Sequence, residues 1–202
     1  DLHSFPTRRS SDLWQTVLMS ISKRLPWLII LLLLGMVVSS VVGLFEHVVE
    51  SLTLVVCFQS LVLDMAGNVG TQSLAVTIRV LMDEKLTAKD KLHLIAKESK
   101  VGTCNGIFLG VLSCAAVGPY LMIAKGQSAG VAFTVAGCIG LALLISMFLS
   151  AVAGTAIPIA FRKIGIDPAV ASGPLITTVN DLVAVIAYYG LVWVLLINIM
   201  GM

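Results

Sequence analysis

The chain has 202 residues, 58% of them hydrophobic and only 12% charged, with a formal net charge of +2 and a mean hydropathy of +1.01. So little polar surface cannot coat a water-soluble globule of this length, which excludes a soluble enzyme or carrier and places the chain in lipid. The small net charge offers no basic face for nucleic acid, so what charge does here depends on position.

Residues Asp1 to Leu13 are polar, lack periodicity and begin without Met. They read as a disordered or non-native end and stand outside the fold, leaving residues 14–202 as one transmembrane domain. A bilayer core needs about 20 residues of apolar helix. The first candidate span is Leu25 to Phe45, long and with no small-residue cleavage pattern after it. After it, Ser40 to Ser51 carries Glu46, His47 and Glu50 but no Lys or Arg. Glu46 and Glu50 read as a solvated helix end. The second span, Leu52 to Ile78, exceeds the minimum and has glycine and polar residues in its interior, so a break is expected there.

Arg79 to Lys100 scatters Leu81, Leu86, Leu92 and Ile95 among charged residues. This pattern predicts an amphipathic helix on the cytoplasmic membrane surface, with Thr87 and Asp90 as a capping box. His93 reads as a solvated residue of that helix. The remaining spans are Val101 to Ile123, Ala129 to Phe161 and Ala169 to Met200, and the last two are again long enough to expect breaks. Trp27, Trp193, Tyr188 and Tyr189 read as packing residues or interface anchors. Cys57, Cys104, Cys114 and Cys138 show no metal-ligand spacing and read as free, buried thiols.

Twelve of the thirteen basic residues precede the first span, lie between the second and third, or follow the fourth; Lys125 alone falls on the other side. The positive-inside rule then puts the N-terminus in the cytoplasm and the C-terminus outside. The expected fold is an all-α integral membrane protein of five transmembrane helices, in a bacterium a multi-pass protein of the inner membrane.

Asp64 in the second span and Asp181 in the fifth are the acidic residues expected at membrane depth. An ionised carboxylate there costs several kcal/mol unless it faces water, a cation or a partner, so each is a candidate functional residue. The bland alternative is a protonated Asp that bonds between helices. Around Asp64 the run Leu63-Asp64-Met65-Ala66-Gly67-Asn68-Val69-Gly70-Thr71-Gln72-Ser73 is too polar for a plain span. Helix packing on small residues would explain Gly67 and Gly70 but not Asn68 with Gln72. In the fifth span Pro174 suits a first helical turn, and Gly173, Thr177 and Asp181 follow at steps of four along one face.

These are hard oxygen donors without His or Cys beside them, a set that selects magnesium, calcium or manganese over zinc or copper. Two aspartates per chain are too few to dehydrate a divalent ion, which fits magnesium's reluctance to shed its waters. A second copy of the chain is then expected to complete the site, giving a homodimer.

The sequence resembles the MgtE family of magnesium transporters and channels, specifically its membrane domain, from about Leu13 to Met202. The resemblance rests on Lys23-Arg24-Leu25-Pro26-Trp27, on the run from Asp64 to Ser73, and on Gly165-Ile166-Asp167-Pro168-Ala169 leading into Ser172-Gly173-Pro174 and Thr177-Thr178 to Asp181. It implies a homodimeric pore lined by the second and fifth helices, with Asp181 in the place of the pore aspartate that holds hydrated Mg2+. It places Asn68 and Asp64 in the pore-lining motif, and Gly67 and Thr177 where backbone or small side chains complete the site. The family's usual glycine at the position of Ala66 is missing. Full-length members of the family resemble a longer design with cytoplasmic Mg-sensing N and CBS domains ahead of the first span; only Trp14 to Lys23 is expected to remain of it here, so gating by those domains is not carried over to this chain.

Two readings compete. An intramembrane aspartyl protease also needs two aspartates on separate helices, but the Tyr-Asp and Gly-x-Gly-Asp motifs of such enzymes are absent: Leu63 precedes Asp64 and Asn180 precedes Asp181. A membrane scaffold would use the same polar residues as glue between helices. Transport, not an enzymatic reaction, is the function the sequence supports.

Overall fold

The computed structural model describes residues 16–46, 53–83, 86–165 and 168–195, all of it helical apart from short turns. Among the described residues five helices follow one another: α1 (Val17–Gly43), α2 (Thr53–Asp83), α3 (Ala88–Lys125), α4 (Ala129–Lys163) and α5 (Pro168–Val192). Each is long and apolar enough to cross a membrane.

Helix α4 is the centre of the bundle. Small and apolar residues such as Ala132, Ala136, Ala142 and Met147 are buried on it, and it packs along α2, α3 and α5. The α3–α4 seam is made by glycine, since lipid gives helices no hydrophobic reason to associate and close backbone approach supplies the contact instead. A Cβ on Gly110 would come within 2.8 Å of the Gly140 carbonyl oxygen, and one on Gly106 within 2.8 Å of Leu144 Cα. One turn nearer the start of α3, a Cβ on Gly102 would meet Ala151 Cβ at 2.6 Å. Cys114 reinforces the seam, donating its thiol to the Ala136 carbonyl at 3.2 Å. The hairpin between the two helices is tight: Gly126 closes α3 at φ 64°, and Ser128 opens α4 by accepting from the Val131 N–H.

Helix α1 has no fully buried residue among those described, although Val38, Val41 and Val42 pack half-buried against the core. Leu25, Leu28, Ile29, Leu32, Leu33 and Met36 are all exposed, as expected of a helix that is apolar all round and meets lipid. It touches the bundle through α5. The two tyrosines of α5 are packing residues. Both are fully buried; Tyr188 donates to the Val55 carbonyl and Tyr189 to Gln59 Oε1, each at 2.6 Å. They tie one end of α5 to the start of α2.

Several expectations change. Helix α2 runs unbroken through Gly67 and Gly70, because Asn68 and Thr71 bond within their own helix and leave the backbone ladder intact. Helix α4 is likewise continuous past Pro158, a residue that neighbouring helices make tolerable in membranes. Helix α5 is continuous over its described length and begins at Pro168, so Pro174 stands six residues inside it. The segment after Thr87 is no separate helix but the first turns of α3. Its capping box is present: the Thr87 hydroxyl accepts from the Asp90 N–H at 3.3 Å and the Asp90 carboxylate from the Thr87 N–H at 2.9 Å. His93 is exposed. Of the four cysteines Cys138 is buried, Cys57 and Cys104 are exposed and Cys114 is half-buried, so the expected burial holds for Cys138 alone. Glu50 lies outside the described residues.

Candidate functional site

The polar run of the second span becomes a stripe on one side of α2. Asp64, Asn68, Thr71 and Arg79 are exposed, at helical spacings that keep them on one face. Opposite the first three stands α5, and between the two helices lies a cavity of about 240 Å³. Leu63, Asp64, Gly67, Asn68 and Thr71 line it from α2, Thr177 and Asp181 from α5. Five of the six residues singled out from the sequence therefore meet at one place. The sixth, Gly173, belongs to α5, but its surroundings lie outside the described residues.

Hydrogen bonds orient the α2 side. Asn68 Nδ2 donates to Asp64 Oδ2 at 3.2 Å, which leaves the Asn68 carbonyl oxygen for another partner. The Thr71 hydroxyl shares its proton between the Gly67 and Asn68 carbonyls, 3.0 Å from each, so only its lone pairs remain to face outward. A Cβ at Gly67 would meet nothing within 4 Å. That glycine keeps the wall open; it is not a packing contact. The lining holds two carboxylates and no basic residue, a surface of oxygen acceptors. Among the described residues no three His, Cys, Asp or Glu come together to hold a bare metal ion.

A second contact sets how far apart the walls stand. Asn180, next to Asp181, is fully buried, and neither its Nδ2 nor its Oδ1 has a hydrogen-bond partner among the described residues. Its carboxamide lies against Gly70, where any Cβ would collide with it. On another side, a Cβ on Gly154 of α4 would collide with the Gly70 carbonyl. Gly70 is thus the point at which α2, α4 and α5 meet.

Thr71 was not singled out from the sequence as a lining residue, although it follows Gly67 by four and Asn68 by three and so shares their face. Asn180 was not singled out either, and it carries no sequence signal of its burial. Gln72 points elsewhere, into a separate cavity of about 300 Å³ shared with Met65, Asn68, Val69, Asn105, Phe108, Leu109 and Met147.

Residues 59–191 match a family model described as MgtE, divalent cation transporter. The chain is 38% identical over 169 residues to the magnesium transporter MgtE of Bacillus subtilis, covering 84% of this chain and 36% of that protein. It is 39% identical over 175 residues to the protein of that name from Enterococcus faecalis, covering 84% and 36%. To that of Thermus thermophilus it is 31% identical over 173 residues, covering 86% and 36%. The chain therefore spans little more than a third of the length of the relatives it matches.

Proposed function

This chain belongs to the MgtE family of divalent cation transporters, a multi-pass membrane protein that in bacteria resides in the cell membrane, and we infer that it passes hydrated Mg2+ between α2 and α5. The observation that carries this reading is the shared cavity. Asp64 and Asp181, the two carboxylates that have no reason to lie in an apolar helix, face the same 240 Å³ from different helices.

The chemistry of the lining matches a hydrated ion. Six waters at about 30 Å³ each occupy about 180 Å³, which the cavity accommodates with its lining groups as hydrogen-bond acceptors for the shell. Magnesium keeps several of its waters and needs only one or two carboxylates. Asp181 and Asp64 supply the charge. Asn68, Thr71 and Thr177 supply neutral oxygens, and Gly67 leaves space.

The polar stripe on α2 is open in a single chain, and lipid is a poor solvent for it. A second copy placed across the stripe would bury it and contribute two more aspartates, so the working pore is a homodimer. The distribution of Lys and Arg supports a cytoplasmic N-terminus, an external C-terminus and a cytoplasmic, amphipathic start to α3.

The test is Mg2+ flux into liposomes containing the purified chain. Asp181→Asn keeps shape and removes charge, so flux should fall while the dimer persists. Unchanged flux would overturn the reading; a lost dimer with no flux measurable in either protein would favour the scaffold.

A further inference from the structure

Away from the cavity, one carboxylate is buried where the sequence suggests solvent. Glu98, in the third turn of α3, is only 5% exposed, and its Oε2 accepts a hydrogen bond from the hydroxyl of Ser73 on α2 at 3.0 Å. Ser73 is nine residues, or two and a half turns, from Asp64, which puts it on the opposite side of α2 from the pore candidates. An ionised carboxylate has about four acceptor positions, and one hydroxyl donor is far too little to hold its charge out of water.

Two further oxygens belong to the helices that pack around this contact. Thr77, one turn beyond Ser73 on the same face, is fully buried and its hydroxyl has no hydrogen-bond partner among the described residues. On α4, Pro158 has no N–H to return to the carbonyl of Gly154, so that carbonyl lacks its ordinary helical partner. The α3–α4 seam steps from Gly110 opposite Gly140 through Gly106 opposite Leu144 to Gly102 opposite Met147 and Ala151. One more turn brings Glu98 to the level of Gly154, which also abuts Gly70 three residues before Ser73.

We propose that Glu98, Ser73, Thr77 and the Gly154 carbonyl form a binding site for one monovalent hard cation, sodium, behind the pore-lining helix. One carboxylate balances one positive charge, whereas a divalent ion would leave a net charge buried. The donors are all oxygens, as hard cations require. Carbonyls released from a helix are how sodium is held at membrane depth. The site joins α2, α3 and α4 on the face of α2 away from Asp64, so its occupancy bears on where α2 stands without touching the transported ion.

The proposal is tested by equilibrium binding of radioactive sodium to the purified full chain in detergent, with choline replacing sodium at constant ionic strength. The expected result is saturable binding of one ion per chain, abolished by Glu98→Gln and retained by Asp181→Asn. Retention in Asp181→Asn separates this site from the magnesium path, so failure of one reading leaves the other standing. Thr77→Val covers the case in which Glu98→Gln does not fold: it removes a hydroxyl that has no hydrogen-bond partner among the described residues. It should leave the sodium-free unfolding midpoint at or above that of the parent chain, yet weaken sodium binding at least several-fold. No saturable sodium binding by the parent chain overturns the proposal in favour of a protonated Glu98 that bonds between helices. Binding unaltered in both Glu98→Gln and Thr77→Val overturns the residue assignment, and displacement by equimolar Mg2+ overturns the choice of a monovalent ion.

Discussion

The fully buried carboxamide of Asn180 lies against the bare Cα of Gly70. Asn180 adjoins Asp181 in α5, and Gly70 stands two residues after Asn68 in α2. Their contact sets the separation of the two helices, and through it the width of the cavity between the aspartates. Alanine at residue 70 has no space on the Asn180 side. Gly70→Ala should cost about 1–3 kcal/mol, the usual range for overpacking, read as a lower unfolding midpoint in detergent. Asn180→Ala in the same chain should restore part of that loss, since the pair is in direct contact. Additive losses would mean that the two residues do not meet.

Gly67→Ala gives the contrasting case. Nothing lies within 4 Å of the added methyl, so the unfolding midpoint should hold while Mg2+ flux falls, because the methyl enters the cavity. Equal flux at equal stability would remove Gly67 from the wall of the ion path.

Asp181→Asn replaces a charged acceptor for the ion's water shell by a neutral one. Hydrogen bonds to charged groups contribute about 1.5–3 kcal/mol, so flux should drop on the order of tenfold to a hundredfold in liposomes. Asp64→Asn should have a smaller effect, since Asn68 already engages one of the Asp64 oxygens at 3.2 Å.

Tyr188→Phe removes the bond to the Val55 carbonyl and nothing else. Hydrogen bonds between helices in membranes contribute about 0.6 kcal/mol on average and up to about 1.7. A loss within that range in reversible unfolding, with Mg2+ flux unaffected, is the expected result. A large loss of flux would show that this end of α5 takes part in the ion path.

The start of α3 should respond to acid. The Thr87 hydroxyl and backbone N–H hold the Asp90 carboxyl below its ordinary value of 3.8. A lowered carboxylate stabilises the folded cap at pH values above that ordinary value, and the contribution is lost as pH falls from about 3.8 through the lowered one. Hydrogen exchange at the first amides of α3 should therefore speed up relative to the rest of the helix below about pH 4. Asp90→Asn should exchange faster at neutral pH and lose the acid response.

Much of this was legible in the amino-acid order because it depends on neighbours along one chain. Hydropathy over about twenty residues marks a span whatever surrounds it. The Thr87–Asp90 cap is closed by groups three residues apart, and the four-residue steps from Asp64 to Asn68 and from Thr177 to Asp181 put each pair on one face of its own helix. Two aspartates in apolar runs were conspicuous without any structure, since lipid makes their cost independent of fold.

Other features depend on which faces of different helices meet. Helical period gives the face of Gly70 and of Asn180 but not that they press on each other, and it cannot tell Gly70, locked between α4 and α5, from Gly67, open to the cavity. Glu98 sits among lysines in the sequence and reads as solvated, yet the rotation of α3 against α2 turns it inward to Ser73. The unbroken course of α2 was hidden for a related reason: glycine and asparagine weaken a helix in isolation, whereas here α2 is continuous and packs against α4 and α5. Composition and period therefore determined the medium, the spans and the carboxylates at membrane depth. Tertiary packing decided which polar groups share a cavity and which lie buried behind it, because those relations are set by helix rotation and crossing rather than by local order.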